Sequence, residues 1–502
     1  MLDEQTIKTS ETTKSKTDYS AIRSQDNLYY LEECLSKAEV CAIDTEASDK
    51  DPMSAILYGI SLSISERQAF FIPMLKSDLI GLSPDDVRCC LNRIFNNNLK
   101  FVGHNLKYDF ALLQRHGIKV NSMYFDTMLA AYECFGDWDF WNLAAVSKKL
   151  LGVAIKRYKE IVGKGETFLD RPFAELVEHA CCDADMALRL YFVLSRELRK
   201  RQIDQYFFDV TMQLENFLLD CELIGVRLDT ERMTAISETL KMNTDRLKSL
   251  SFSLAGSDFD IDSYKSTTEI LKKFKIWEKT TGQINEVQLE QLACSHPLPF
   301  HIVKYHRERN RYKEAELLCT SAKDGRVFPK FSQIKSAHGS LWSGSPSLRE
   351  AFVGKAIYDE RLNQIFHCPE AAIQLLQDIC GDTVLQYDVK THGCRGDFIP
   401  CELSISGLPH NEILLSYVIG MTDTAICTLF LTTREQAAKT RVALDLQYAY
   451  LFSWVRKFSE SSISKGYAEY GKKRKYLAGL RSSDTDKRNK AVRAAIRWLV
   501  HY

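Results

Sequence analysis

Between residues 38 and 74 apolar positions come in short runs, EVCAIDTE, SAILYGISLSIS and AFFIPM, separated by polar turn residues. That is the pattern of strands opening a sheet. The period then lengthens. DDVRCCLNRIFNN at 85–97 spaces its apolar residues along one helical face, and KFVGH at 100–104 predicts a short strand. LKYDFALLQRHG predicts a helix ended by Gly117, and YFDTMLAAYECF predicts the start of another, with Asp126 as its N-cap. Strands first and helices after predict an α/β layer, helices packed over a mixed sheet. From about 200 to 330 the pattern is almost wholly helical and charged, with LIGVRLD at 223–229 as a turn between helices. Residues 331–430 are mixed, and 433–460 and 486–500 return to helical spacing. The first eighteen residues are polar, low in complexity and predicted to be a disordered tail.

One strand in this pattern carries unexpected charge. In VCAIDTEASD, residues 40–49, Asp44 and Glu46 lie two positions apart. Side chains alternate along an extended chain, so both carboxylates share a face and Thr45 takes the other. Two like charges held close repel unless something positive lies between them, and a divalent cation is one answer. A solvated strand end is the other, and for an isolated Asp-x-Glu it is the commoner one. Three more residues bear on the choice. Asp109 falls one turn into a helix that starts just after a strand, and His179 and Asp183 stand at i, i+4 on one helical face. Each alone has a plain reading: Asp109 as a helix-terminal charge, His179 and Asp183 as a local pair.

Taken with their flanks, these residues resemble the proofreading 3′–5′ exonuclease domain of family A DNA polymerases, the bacterial DNA polymerase I type. AIDTEASD, SAILYGISLSI, FFIP, VGHNLKYDFALLQRHGI, FDTMLAAY, IVGKGETF and CCDADMALRLYF occur in the family's order across residues 19–200. The resemblance implies a ribonuclease H-like exonuclease domain with a catalytic set of Asp44, Glu46, Asp109, His179 and Asp183. It implies that Asp44, Glu46 and Asp183 ligate one Mg²⁺ or Mn²⁺ and that Asp109 helps hold a second. Hard divalent ions prefer such oxygen-only ligation. It further implies that Asn105 and Tyr108 contact the frayed 3′ end and that Phe168 stacks on an unpaired base. One position departs from the family: His179 stands where a Tyr is expected, four residues before the last Asp.

Beyond residue 200 the resemblance is to the polymerase half. LENFLLDCELIGVRLD and SYKSTTEILKKF look like entry to the thumb, and LPFHIVKYHRERNRYKEAELL like the thumb segment along the duplex. Lys304, Arg307, Arg309, Arg311 and Lys313 are expected to meet phosphates, or else to form a solvated charged face. The implied organisation is a tail at 1–18, the exonuclease at 19–200, a thumb-like helical region at 201–330 and a degenerate palm and fingers at 331–502. The degeneracy is specific. Ser340 replaces an expected Arg, Pro369 or Glu370 occupies the place of the first polymerase aspartate, and 405–440 lacks the nucleotide-binding helix pattern. KGYAEYGKKRKYLAGLRSSDTDKRNKAVRAAIRW resembles the late fingers, and Tyr502 precedes the expected His-Asp-Glu segment. Without those carboxylates DNA synthesis is not expected.

Composition adds two points. Residues 431–502 hold sixteen lysines and arginines against six acids, while the chain as a whole is neutral, so positive charge is concentrated at one end. Nucleic acid is the usual partner for such a patch, DNA before RNA on the resemblance, and a lysine-rich helical face is the plainer reading. Fifteen irregularly spaced cysteines, with no export signal and no apolar run of ~18 residues, predict reduced thiols in an intracellular, cytoplasmic protein that does not enter membranes. His392, Cys394 and Cys401 lack a fourth ligand at zinc spacing.

Overall fold

The computed structural model describes residues 17–358, except 76–81, 96–97, 137, 139, 157, 163–166, 278–281, 294–295, 336–340 and 354–355. It also describes 458–483 except 471–472, with residues 438, 441, 488, 491 and 492. Of the expected disordered tail at 1–18, residues 1–16 lie outside these, whereas Asp18 begins a strand. The expectations for Ser340, Pro369 and Glu370, for His392, Cys394 and Cys401, and for 405–440 apart from residue 438 also lie outside. The chain divides into two compact units, 1–220 with 471–474 and 221–470 with 475–502.

The first unit is built on a six-stranded sheet: β1 (Asp18–Ala21), β2 (Val40–Ala47), β3 (Leu57–Ser65), β4 (Gln68–Pro73), β5 (Lys100–Gly103) and β6 (Met123–Asp126). Their spatial order is β1-β4-β3-β2-β5-β6. β2, β3 and β4 form an antiparallel meander, β1 runs parallel to β4, and β5 and β6 run parallel to β2. The sheet is mixed, as the alternation of short strands with helices implies. The helices are α1 (Gln25–Ser36), α2 (Pro84–Phe95), α3 (Leu106–Arg115), α4 (Thr127–Phe135), α5 (Leu143–Leu151), α6 (Tyr158–Ile161) and α7 (Phe173–Lys200). The short α8 (Asp204–Tyr206) and a π-helical turn at Phe207–Thr211 lead into α9 (Met212–Ile224).

α7 crosses the sheet and touches β1 through β5. It can lie close because Ala180, Cys181, Ala184 and Ala187 are small and wholly or almost wholly buried. A larger buried side chain would lift it away. At the far edge, Asn216 of α9 serves as a neighbour for β6. Its Oδ1 accepts the Met123 N–H at 2.9 Å and its Nδ2 donates to the Met123 carbonyl at 3.1 Å.

Three elements of this unit differ from the pattern reading. Residues 123–126 are a strand before they are a helix start, because the apolar, aromatic Met123–Phe125 pairs with β5. β1 and α1 were not visible in the periodicity, since Asp18–Ala21 has only four residues and gains its partner from Gln68–Phe71.

The second unit is largely helical, with α10 (Thr230–Ala255), α11 (Tyr264–Lys273), α12 (Glu286–Ala293) and α13 (Pro297–Ser321). Ile261, Leu271, Ile284, Leu289, Leu298 and Ile302 make a core of their own. The stretch expected as a turn at 223–229 instead contains β7 (Val226–Arg227), paired antiparallel with β8 (Arg326–Val327). β9 (Lys330–Ser332) pairs with β10 (Trp342–Gly344), followed by α14 (Arg349–Val353). Strands β11 (Tyr467–Tyr470) and β12 (Lys473–Tyr476) lie in the C-terminal part. Among the described residues no helix is long and apolar enough to cross a membrane, and all nine described cysteines are free.

Candidate active site

Three elements of the first unit bring the acidic residues together. β2 carries Asp44 and Glu46 on one face, and a break in its register with β3 falls between Glu46 and Ala47. α3 supplies Asp109 from its first turn, where the side chain is buried. The Thr45 hydroxyl donates to Asp109 Oδ1 at 2.6 Å, so the residue between the two strand acids orients the third. α7 supplies His179 and Asp183. His179 Nε2 lies 3.8 Å from Glu46 Oε1 and 3.8 Å from Asp183 Oδ2, outside hydrogen-bond range of both.

The electrostatics of the cluster follow from this convergence. Burial raises Asp44 to about 7. Glu46 rises well above the usual carboxylate range, first through burial and then through the charges of Asp44, Asp183 and Asp109. Asp109 rises through burial and the Asp44 charge, opposed by the Thr45 hydrogen bond. Asp183 rises through burial and Asp44. Asp44 therefore lies within the field of the other three. Burial lowers His179 to about 4, so its ring is neutral at pH 7 and offers no compensating charge.

A hard cation fits this donor set on one observation in particular. Asp183 Oδ1 is buried and has no hydrogen-bond partner, a state that leaves a polar atom's desolvation uncompensated. As the side chains lie, no three His, Cys, Asp or Glu donors among the described residues close on a single point. Like-charged carboxyls with nothing positive between them are expected to stand apart.

The other expected residues fall differently. Asn105 is exposed, sits at φ +65° directly before α3, and makes no capping bond with its side chain. A non-glycine residue in this left-handed region is uncommon outside turns and functional sites. Tyr108 donates its hydroxyl to the Asp49 carbonyl. That bond helps pin the loop after Glu46, which Arg115 also holds at the Ala55 carbonyl (2.6 Å). Phe168 departs from expectation. It is fully buried, stacked on Tyr58 with ring centroids 6.4 Å apart, and tilted against the His179 ring at 6.4 Å, so it backs the histidine.

The expected phosphate-binding cations of α13 also depart from expectation. Arg307 pairs with Glu290 at 2.7 Å and Arg309 with Asp262 at 3.2 Å. Arg311 forks onto Glu350 at 3.0 and 2.9 Å and also meets Glu308 at 3.0 Å. Lys304 lies over the Phe300 ring at 4.6 Å. Charge sign is legible in sequence; these partners, up to 47 positions away, are not.

Two buried acids were missed as contributors. Asp126, read as a cap for α4 alone, also binds backbone at the start of α3. Asp185, wholly buried on α7, accepts the Tyr19 hydroxyl at 2.8 Å and the Arg67 N–H at 2.7 Å, anchoring α7 to the β1 and β4 side of the sheet. The signal was present in CCDADM, whose second acid lies on the other side of the helix from Asp183.

Comparison with known proteins agrees with this picture. Residues 19–199 match the family model of the DNA polymerase A exonuclease domain, described as 3′–5′ exonuclease. DNA polymerase I of Borreliella burgdorferi is 26% identical over 338 residues, covering 66% of this chain and 37% of its own length. DNA polymerase I of Treponema pallidum is 25% identical over 402 residues, covering 70% and 40%. The chain thus spans about two fifths of the length of the curated relatives it matches. The polymerase domain of Pol1 from M. smegmatis, solved with DNA primer-template and dNTP, shares the fold at a TM-score of 0.65 and 16% identity. That similarity covers 96% of this chain and 86% of the other.

Proposed function

From the match of residues 19–199 to the 3′–5′ exonuclease domain model of the DNA polymerase A type, we propose that the chain removes nucleotides from nucleic-acid 3′ ends by metal-dependent hydrolysis. The products are nucleoside 5′-monophosphates. What most supports this reading is the convergence of Asp44, Glu46, Asp109 and Asp183, two of them buried and two half-buried, with one buried Asp183 oxygen left unpartnered.

Asp44, Glu46 and Asp183 would hold one Mg²⁺ or Mn²⁺ and Asp109 would share a second. Bound there, divalent ions offset the negative charge that develops on the attacking and leaving oxygens of an in-line displacement at phosphorus. The chain's own groups do the rest. Burial keeps the carboxyls in a low-dielectric setting, where each interaction with the reacting phosphate is stronger. His179 Nε2 faces the space between Glu46 and Asp183. Held neutral, it is suited to orienting the attacking water through a hydrogen bond more than to holding its proton. The water oxygen bonds phosphorus as its proton passes to solvent, the bond between phosphorus and the 3′ oxygen breaks, and the departing oxygen takes up a proton from solvent. Asn105, exposed directly before α3, would meet the terminal nucleotide, and Tyr108 contributes by fixing the loop after Glu46. DNA is the first substrate by kinship; the acidic cluster has no group that distinguishes a 2′-OH, so RNA follows the same chemistry. DNA synthesis is not part of the proposal, because residues 340 and 369–370 lack the family's Arg and Asp.

His179 also favours a second reading, a nucleic-acid-binding scaffold whose nuclease has decayed, since a neutral imidazole 3.8 Å from both acids replaces the family's Tyr. One experiment separates the two. Single- and double-stranded DNA and RNA, labelled at either end, are incubated with Mg²⁺ or Mn²⁺ and with wild type or Asp44→Ala. Release of 3′ label as mononucleotide by wild type alone supports the enzyme; equal, background release by both supports the scaffold.

A further inference from the structure

The two parallel strands β5 and β6 end side by side, Gly103 paired with Asp126, and each passes almost directly into a helix. The N-termini of α3 and α4 therefore emerge at the same level of the sheet. A helix start presents unbonded N–H groups and a partial positive charge, so two adjacent starts make a strongly anion-seeking corner. Asp126 fills it from within the chain. Its Oδ1 accepts Met128 N–H at 2.8 Å and Leu129 N–H at 3.2 Å, an ordinary cap of α4. The same oxygen accepts Asn105 N–H at 3.3 Å, and Oδ2 accepts Leu106 N–H at 2.7 Å. The carboxylate is wholly buried.

α3 has no cap of its own. Asn105, in the N-cap position, sits at φ +65° and its side chain makes no capping bond. The turn leading in is tight, since a Cβ on Gly103 would lie 2.5 Å from Leu106 Cδ1. What fixes the entry of α3 is a carboxylate twenty residues downstream. Three residues beyond Leu106 stands Asp109, whose Oδ1 must reach the Thr45 hydroxyl at 2.6 Å.

We propose that Asp126 is a positioning residue for the exonuclease centre: by capping α3 from β6 it sets where Asp109 meets Asp44. The inference rests on the proposed hydrolysis for its functional arm, and its mechanical arm stands without it. Removing hydrogen-bonded partners that orient metal-binding groups typically weakens metal affinity or activity 10–100-fold.

The test uses two variants of the full chain. Asp126→Asn retains an oxygen for the Oδ1 bonds but places an amide where Leu106 N–H needs an acceptor. Asp126→Ser keeps a serviceable cap for α4 and cannot span to α3. Amide hydrogen exchange should show Leu106 losing protection in both variants while Met128 and Leu129 keep theirs. Mn²⁺ affinity by calorimetry should weaken about tenfold or more, and turnover at saturating substrate should fall similarly with little change in KM. Ser24→Ala, which removes the cap of α1 at Asn27 N–H, controls for a cap lost away from the site and should leave Mn²⁺ affinity unchanged. Unaltered exchange at Leu106 overturns the mechanical arm. Altered exchange with wild-type Mn²⁺ affinity and turnover overturns the positioning role. A wild type that neither binds Mn²⁺ nor releases nucleotides, with exchange altered as expected, overturns the nuclease reading and the positioning role drawn from it, and leaves the cap standing.

Discussion

Acids in the first unit and cations in the second are handled in opposite ways. Along α13 every described arginine of the basic stretch has a carboxylate partner, Arg307 with Glu290, Arg309 with Asp262, and Arg311 with Glu350 and Glu308. Around β2, four carboxyls are gathered, Glu46 and Asp109 buried and Asp44 and Asp183 half-buried, with only a neutral imidazole among them. Carboxyls gathered without a paired cation repel one another as they ionise, and such a cluster is a candidate site for a positively charged ligand.

The largest expected effect sharpens the acidic side. Asp44→Ala or Asp183→Asn should cut nucleotide release by about 10²–10³-fold, the range seen when a group stabilising transition-state charge is removed. Labelled-end digestion checks it, and near-normal turnover by either variant would break the comparison at its strongest point.

On the cationic side, Arg311→Ala strands Glu350, which is 1% exposed. Leaving a buried acceptor unpaired costs about 1–3 kcal/mol, discounted here toward the lower end because Arg311 itself is more than a third exposed. Denaturant unfolding should report that loss, while nucleotide release by the folded protein stays at the wild-type level.

A third prediction opposes the second in sign. Without metal, Asp183→Asn relieves repulsion and should raise the thermal midpoint, where removing a paired charge lowers it. Adding Mg²⁺ or Mn²⁺ should raise the wild-type midpoint by several degrees and move the variant little. The pH dependence follows the same logic. Asp44 titrates near 7 in the folded chain, above its ordinary value, so the stability it contributes is complete below the unfolded pKa and lost as pH rises through about 7. Metal-free protein should therefore melt at lower temperature at pH 8 than at pH 6, and a saturating divalent ion should flatten that slope. A flat metal-free profile would remove that repulsion from the comparison.

The smallest effect concerns Arg309, partly exposed and paired with a partly exposed acid. Arg309→Ala should change stability by less than about 1 kcal/mol and leave the salt dependence of DNA binding in a filter or fluorescence assay almost unaltered. A marked drop in the salt slope would return this cation to the phosphate-binding role expected from sequence.

What was legible in the sequence follows the range of the forces involved. Alternation placed Asp44 and Glu46 together, and helical spacing placed Asp109, His179 and Asp183, because each pattern is local to one element. Phe168 was misjudged because its burial depends on Tyr58, 110 positions earlier, and on His179. Arg311 was misjudged because Glu350 is 39 positions away. Asp126 was half seen: its bonds to Met128 and Leu129 are written in neighbouring residues, whereas those to Asn105 and Leu106 depend on two strands lying side by side.

Asn216 has a consequence for the company this protein keeps. An outermost strand presents free donors and acceptors on which another polypeptide can crystallise as an extra rung. By mimicking a peptide group opposite Met123, the Asn216 amide occupies the hydrogen-bonding sites of that residue. Strand addition is thereby blocked at the Met123 position of β6 by one carboxamide.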